Sequence, residues 1–226
     1  MTPAAMQQTI HEPSTPKQKR LRETWRESDH AQRRTLILDA ARSLLEAEGP
    51  EGMTMRRVAA RLGIGTMTLY TYVEGQDGLR RELVRQGFEA LSRGCEAACE
   101  KAAAAGESLP HSWWPGARHY VRFAMEQPAL FRLMFDTPLP DGDEELLRGG
   151  FEPLLDRVRD ALAQHEGLHG DTLAREARRV AGRYWIGIHG LAMLATTGRL
   201  RILEGGVDDL LRDLLPSVGP AVEQPE

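Results

Sequence analysis

Residues 55–73 read Met55-Arg-Arg-Val-Ala-Ala-Arg-Leu-Gly-Ile-Gly-Thr-Met-Thr-Leu-Tyr-Thr-Tyr-Val73. Val58, Leu62, Ile64 and Leu69 recur at the spacing that two short crossed helices need to share a small core. Ala59 is small where such helices approach each other, and Gly63 stands at the turn, where a positive φ is often required. Thr54 suits the N-cap of the first helix, which runs to about Arg61, and the second covers about Thr66 to Tyr72. Small, glycine and apolar positions together favour a helix-turn-helix, whose second helix enters a DNA major groove, over an ordinary helical hairpin of the same length.

The same period continues outward in both directions. Leu36, Ile37, Ala40, Ala41, Leu44 and Leu45 line one face of a helix that stops at Gly49-Pro50. Gly75 separates the quoted stretch from a long helical segment at 77–104, which ends at Gly106. Further helices are predicted over 110–126, 128–135, 143–165, 171–196 and 207–215, with Pro or Gly in the breaks between them. No alternating strand pattern and no internal repeat interrupts this series. The chain reads as all-α, with about nine helices: a three-helix helix-turn-helix domain at 29–76, then a helical bundle at 77–216.

The two ends read differently. Residues 1–28 hold three prolines, many polar groups and no apolar periodicity, which predicts a disordered arm. Its distal part is basic through Lys17, Lys19, Arg20, Arg22 and Arg26, so it is either a solvated tail or an arm lying along DNA. Residues 217–226 read as a flexible tail.

Composition narrows the class. No apolar run approaches the ~18 residues of a membrane span, and Met1 to Glu12 lacks the apolar centre of a secretory signal. Two cysteines exclude a disulfide scaffold, so the expectation is a cytoplasmic protein with no membrane partner. The formal net charge is −4, unevenly spread. Residues 1–88 carry 14 Lys/Arg against 11 Asp/Glu, a balance of +3, and residues 89–226 carry 15 against 22, a balance of −7. The positive excess points to a polyanion partner for the first part alone, and argues against indiscriminate coating of nucleic acid.

The stretch from Arg34 to Leu79 resembles the DNA-binding domain of the TetR family of bacterial transcriptional regulators. The residues that carry the resemblance are Ile37-Leu38, Ala40-Ala41, Leu44, Gly49, Thr54, Val58-Ala59, Leu62-Gly63, Leu69-Tyr70 and Leu79. It implies a homodimer on palindromic double-stranded operator DNA, released by a small-molecule effector, with no cofactor and no enzymatic activity. It also implies DNA contacts from Thr54, Arg56 and Arg57, from Thr66, Met67 and Thr68 at base edges, and from Tyr70, Thr71, Tyr72 and Gln76 at phosphates or adjacent bases. Arg56 would read a guanine and Met67 a thymine methyl. Gln76 stands where the family usually has a lysine, and Arg80 and Arg81 are possible substitutes for that lost cation.

A second resemblance covers His119 to Phe135 and Trp185 to Gly190, which are similar to the TetR C-terminal subfamily known for its Trp-His-Gly motif. It implies a bundle that dimerises and encloses a ligand cavity. Trp185 and His189 are four apart and share a helix face. Trp114, Tyr120, Phe123, Phe131, Met134, Trp185, His189 and Met193 are candidate pocket residues, because Met and aromatic walls adapt to apolar ligands. Plain core is the competing reading of the same set. The helices at 171–197 and 207–215 are candidates for the dimer seam, and the one at 77–104 for a lever that joins head to bundle.

One enzymatic alternative comes from His165-Glu166-Gly167-Leu168-His169, which fits the H-E-x-x-H pattern of zinc hydrolases. That chemistry needs both histidines on one helical turn, and Gly167 and Gly170 predict a loop there instead. Cys95 and Cys99 are four apart on a helix, where disulfide geometry is poor, so buried thiols are expected rather than a redox switch.

Overall fold

The structure, a computed structural model, describes residues 15–106, 113–136 and 144–214. The predicted tail at 217–226, the first 14 residues of the predicted arm and the start of the helix predicted at 110 lie outside the described residues. Ten α-helices follow in order: α1 (Pro16–Glu27), α2 (His30–Gly52), α3 (Met55–Leu62), α4 (Thr66–Leu69), α5 (Gly75–Ala104), α6 (Trp114–Glu126), α7 (Pro128–Asp136), α8 (Glu144–His165), α9 (Gly170–Thr196) and α10 (Val207–Leu214). A single 3-10 turn, Arg199–Ile202, precedes α10. No strand occurs among the described residues, so the all-α class read from the sequence holds. The chain forms two compact units, Met1–Arg80 and Arg81–Glu226, and α5 begins in the first and continues in the second.

In the first unit, local chemistry sets each boundary. Asp29 and Gln32 form a reciprocal capping box at the start of α2, with bonds of 2.8 and 2.9 Å. The apolar face of α2 is buried through Ile37, Leu38, Ala40, Ala41, Leu44 and Leu45. Gly49 leaves the helical region at φ 74°, ahead of Pro50, which is where the sequence places the stop. Thr54 caps α3 by accepting from the Arg57 amide at 3.4 Å, and α3 buries Met55, Val58, Ala59 and Leu62.

Gly63 ends α3 in the left-handed region at φ 69°. A side chain there has room, since the nearest neighbour of its Cβ would be the Arg22 stem at 3.5 Å, so the restriction is conformational. We expect Gly63→Ala to destabilise the first unit by about 1–2 kcal/mol and Gly63→Asn by less, because Asn tolerates this region. Thermal unfolding of the two variants checks the order.

One helix was not expected. Residues 16–27 lie in the stretch read as a disordered arm, yet they form α1, and this makes ten helices instead of about nine. The reason is long-range packing centred on one side chain. Trp25 is 7% exposed, packs edge-on against Tyr72 at 5.4 Å and lies under the Arg33 guanidinium at 5.5 Å. Burial of this ring, with packing of α1 on α3 and the Arg33 bonds to the Trp25 and Arg26 carbonyls, anchors a short helix that composition alone marks as unstructured.

In the second unit, α6 and α8 pack on α9, and α10 packs on both α6 and α9. Fully buried side chains include Tyr184, Phe131, Leu130, Met134 and Leu211. At Gly87 of α5 a Cβ would come within 2.5 Å of the Met134 sulfur on α7. Glycine is what allows that approach. No described helix is long and apolar enough to cross a membrane.

Candidate nucleic-acid interface

The helix-turn-helix is formed as the sequence predicts, with α3, the left-handed turn at Gly63 and a short recognition segment. Only Thr66–Leu69 is regular α-helix, but hydrogen bonds from Tyr72 and Val73 to the Leu69 carbonyl, 2.9 and 3.1 Å, carry the turn to the predicted end. Leu69 is fully buried, which fixes the rotation of the segment. Its neighbours therefore face outward. Met67 is 78% exposed and Tyr70 53%, while Thr66 and Thr68 are half-buried beside them and Thr71 is exposed.

The arginines divide by partner. Arg57 is held in an ion pair with Glu48 of α2, and Arg61 donates to the Ser43 hydroxyl at 2.7 Å. Arg56 is exposed, and no acidic partner faces it among the described residues. Thr54 spends its oxygen on the cap of α3. Gln76 lies in the first turn of α5, half-buried.

Tyr72 has neighbours that the sequence did not reveal. Its ring lies against Trp25 and against His30 at 4.7 Å, and its hydroxyl accepts from Arg33 Nη1 at 3.2 Å. Arg33 also donates from Nε to the Trp25 carbonyl at 3.1 Å, so one guanidinium ties α1, α2 and the end of the recognition segment together. Trp25 in a polar stretch is the sequence signal for this anchor.

In the second unit the eight candidate pocket residues separate. Tyr120, Phe131, Trp185 and His189 form one aromatic cluster, joined by Phe135, whose ring is 4.6 Å from that of His189. Phe88 and Phe151 extend it through Phe135 and Trp185. Tyr120 Oη lies 2.9 Å from His189 Nδ1. Burial lowers the His189 pKa, with Asp136 pulling the other way, and raises that of the Tyr120 phenol. Both shifts disfavour the charged forms, so the pair is held by a hydrogen bond whose direction follows the imidazole tautomer. Trp114 instead lies under the Arg212 guanidinium, Phe123 beside His119, and Met134 against Gly87; Met193 is half-buried near the end of α9.

Described residues of the second unit also line hollows. An open cleft of about 980 Å³ is walled by Lys101, Arg118, His119, Arg122, Asp208 and Arg212, with Arg118 and Asp208 paired at 2.7 Å. A cavity of about 60 Å³ lies beside Cys95, Cys99 and Trp113. None of the eight candidates lines either one. Burial pushes the Cys95 thiol up to about 12 and raises that of Cys99, which suits inert thiols rather than a redox pair. The H-E-x-x-H stretch is split: His165 closes α8, Gly167 turns at φ 63°, and His169 precedes α9 in an extended conformation. The two histidines do not share a helical turn, and the zinc-hydrolase alternative loses its geometric basis.

A helix-turn-helix unit with an outward-facing recognition segment, followed by a second all-helical unit, defines a DNA-binding transcriptional regulator. Comparison with known proteins agrees at both ends of the chain. Residues 37–83 match the model of bacterial regulatory proteins of the tetR family, and residues 115–218 match the tetracyclin repressor-like C-terminal domain. A 43-residue stretch is 56% identical to the HTH-type transcriptional repressor DrrR1 of Streptomyces coeruleorubidus, covering 19% of this chain and 16% of that protein. Over 198 residues, 84% of this chain and 82% of the relative, it is 23% identical to an uncharacterized HTH-type transcriptional regulator of Mycobacterium tuberculosis. A solved structure of a Mesorhizobium loti protein assigned to the TetR family has the same fold, with a TM-score of 0.54 at 19% identity over 83% of this chain and 97% of that one. The chain belongs to the TetR family of transcriptional regulators.

Proposed function

We propose that the protein is a cytoplasmic, homodimeric repressor that holds a palindromic operator through two helix-turn-helix units and releases it when a small molecule occupies the second unit. The exposed recognition segment carries this reading. Apolar side chains as open as Met67 and Tyr70, in the same unit as an exposed Arg56 that no ion pair engages among the described residues, are spent on water unless a partner covers them. The major groove is such a partner. Met67 meets a thymine methyl, Arg56 addresses guanine O6 and N7 together, and the hydroxyls of Thr66, Thr68 and Thr71 with Gln76 serve base edges and phosphates.

Dimerisation is supported by the outer face of α9. Ile186 is 69% exposed, and Gly182 and Gly190 look onto open space. Their spacing of four residues forms a stripe that a second copy can approach closely. On α10, Leu211 is buried within its own unit and Leu214 is exposed. A two-fold axis would set the recognition segments about 34–36 Å apart, one turn of DNA. We expect Ile186→Asp to yield a folded monomer that protects only one half-site. Light scattering and footprinting check this, and an unchanged dimer contradicts the seam.

The cluster of Tyr120, Phe131, Trp185 and His189 is the proposed effector region. Effector and operator would oppose each other by one reciprocal coupling, typically ~1–3 kcal/mol. The name of the relative DrrR1 supports repression over activation through the 43 shared residues alone.

A further inference from the structure

Helix α1 lies outside both matched regions, and its charges have no part in the proposed function. The helical repeat gathers Lys19, Arg22 and Arg26 on one flank, next to the buried face that carries Trp25. All three are exposed, and no ion pair engages them among the described residues. Glu23 borders this flank, one helical turn from Lys19 and Arg26, but α1 as a whole carries five cations, Lys17, Lys19, Arg20, Arg22 and Arg26, against the two carboxylates of Glu23 and Glu27, so the helix is net positive.

The helix is also moored at two informative places. The Arg22 stem lies over the turn at Gly63, and Trp25 packs on Tyr72 at the end of the recognition segment. Arg33 adds bonds to the Trp25 and Arg26 carbonyls at 3.1 and 3.5 Å. A flexible tail brings charge to DNA at the cost of ordering it, whereas a docked helix has already met that cost. Such a flank, continuous with the recognition unit, is complementary to a duplex backbone that carries one negative charge per ~1.7 Å of axis.

We infer that α1 is a second DNA-contacting element, whose Lys19, Arg22 and Arg26 engage phosphates flanking the base pairs read by the helix-turn-helix. The inference rests on the proposed operator binding. It assigns α1 affinity and register and leaves sequence preference to Arg56 and the recognition segment.

The test uses the full chain and a duplex selected by the wild-type protein from a random pool, with affinity followed by fluorescence anisotropy from 0.05 to 0.3 M KCl. Lys19→Gln, Arg22→Gln and Arg26→Gln are combined in one variant. A charge-matched control combines Arg132→Gln, Arg199→Gln and Arg201→Gln, all exposed in the second unit. Each lost phosphate contact flattens the plot of log affinity against log salt by about 0.9, so two heads lose up to about five units of slope. The first variant is expected to bind at least about tenfold more weakly at 0.15 M salt with its preferred sequence unchanged, and the control to keep the wild-type slope. A first variant with the wild-type slope, or a control that flattens equally, overturns the role of α1 and leaves the helix-turn-helix reading standing. A wild-type protein that selects no duplex overturns that reading instead.

Discussion

Replacing Phe131 with alanine is expected to destabilise the second unit by about 3–5 kcal/mol, the range for truncating a fully enclosed Phe. Phe131 is 0% exposed. Its ring stacks on His189 at 5.6 Å, meets Tyr120 edge-on at 5.6 Å and lies 4.8 Å from Phe135. Truncation removes the transfer energy of the ring and leaves a void between three helices that are already close-packed. The result also bears on whether the cluster is core or pocket wall. Denaturant unfolding that shows a loss under about 1 kcal/mol would mean that Phe131 faces empty space. A large loss that an apolar ligand of benzene size partly reverses would show that the void lies where a small molecule can be held.

The second large effect concerns sequence reading. Arg56→Ala is expected to remove about 1–3 kcal/mol of discrimination at one base pair in each half-site, the worth of a bidentate guanine contact. Its neighbour supplies the control. Arg57 carries the same charge one position along α3, but its guanidinium is committed to Glu48. Arg57→Ala removes an exposed ion pair of about 0–1 kcal/mol and should leave base preference intact. Competition binding against a panel of duplexes that differ at single positions separates the two. Equal loss of preference in both variants would mean that charge in this region, rather than the placement of Arg56, carries specificity.

Much of the first unit was legible because local rules govern it. Gly49-Pro50 stops α2, Thr54 caps α3, and Gly63 takes the left-handed turn, each where the residue type requires it. The apolar spacing of Val58, Leu62 and Leu69 states the packing directly, and all three are fully buried. What the sequence hides is partnership between distant residues. Glu48 claims Arg57 from another helix, and Trp25 reaches Tyr72 across 47 positions, so neither pairing shows in any local period. The arm at 16–27 was misread for that reason: its polar composition is real, but Trp25 and the Arg33 bonds to its backbone moor it. In the second unit, helical spacing marks Tyr120, Phe131, Trp185 and His189 as inward-facing, yet Trp114 and Met134 carry the same mark and lie elsewhere. Periodicity gives the face of a helix and leaves open which residues on different helices meet there.

The most direct measurement is selection from a pool of random duplexes by the purified full chain, at low ionic strength and without small molecules. The expected result is enrichment of one inverted repeat whose half-sites are centred about 10 base pairs apart, with a guanine in each half-site whose enrichment disappears in Arg56→Ala. Recovery of a pool as random as the one supplied would contradict it.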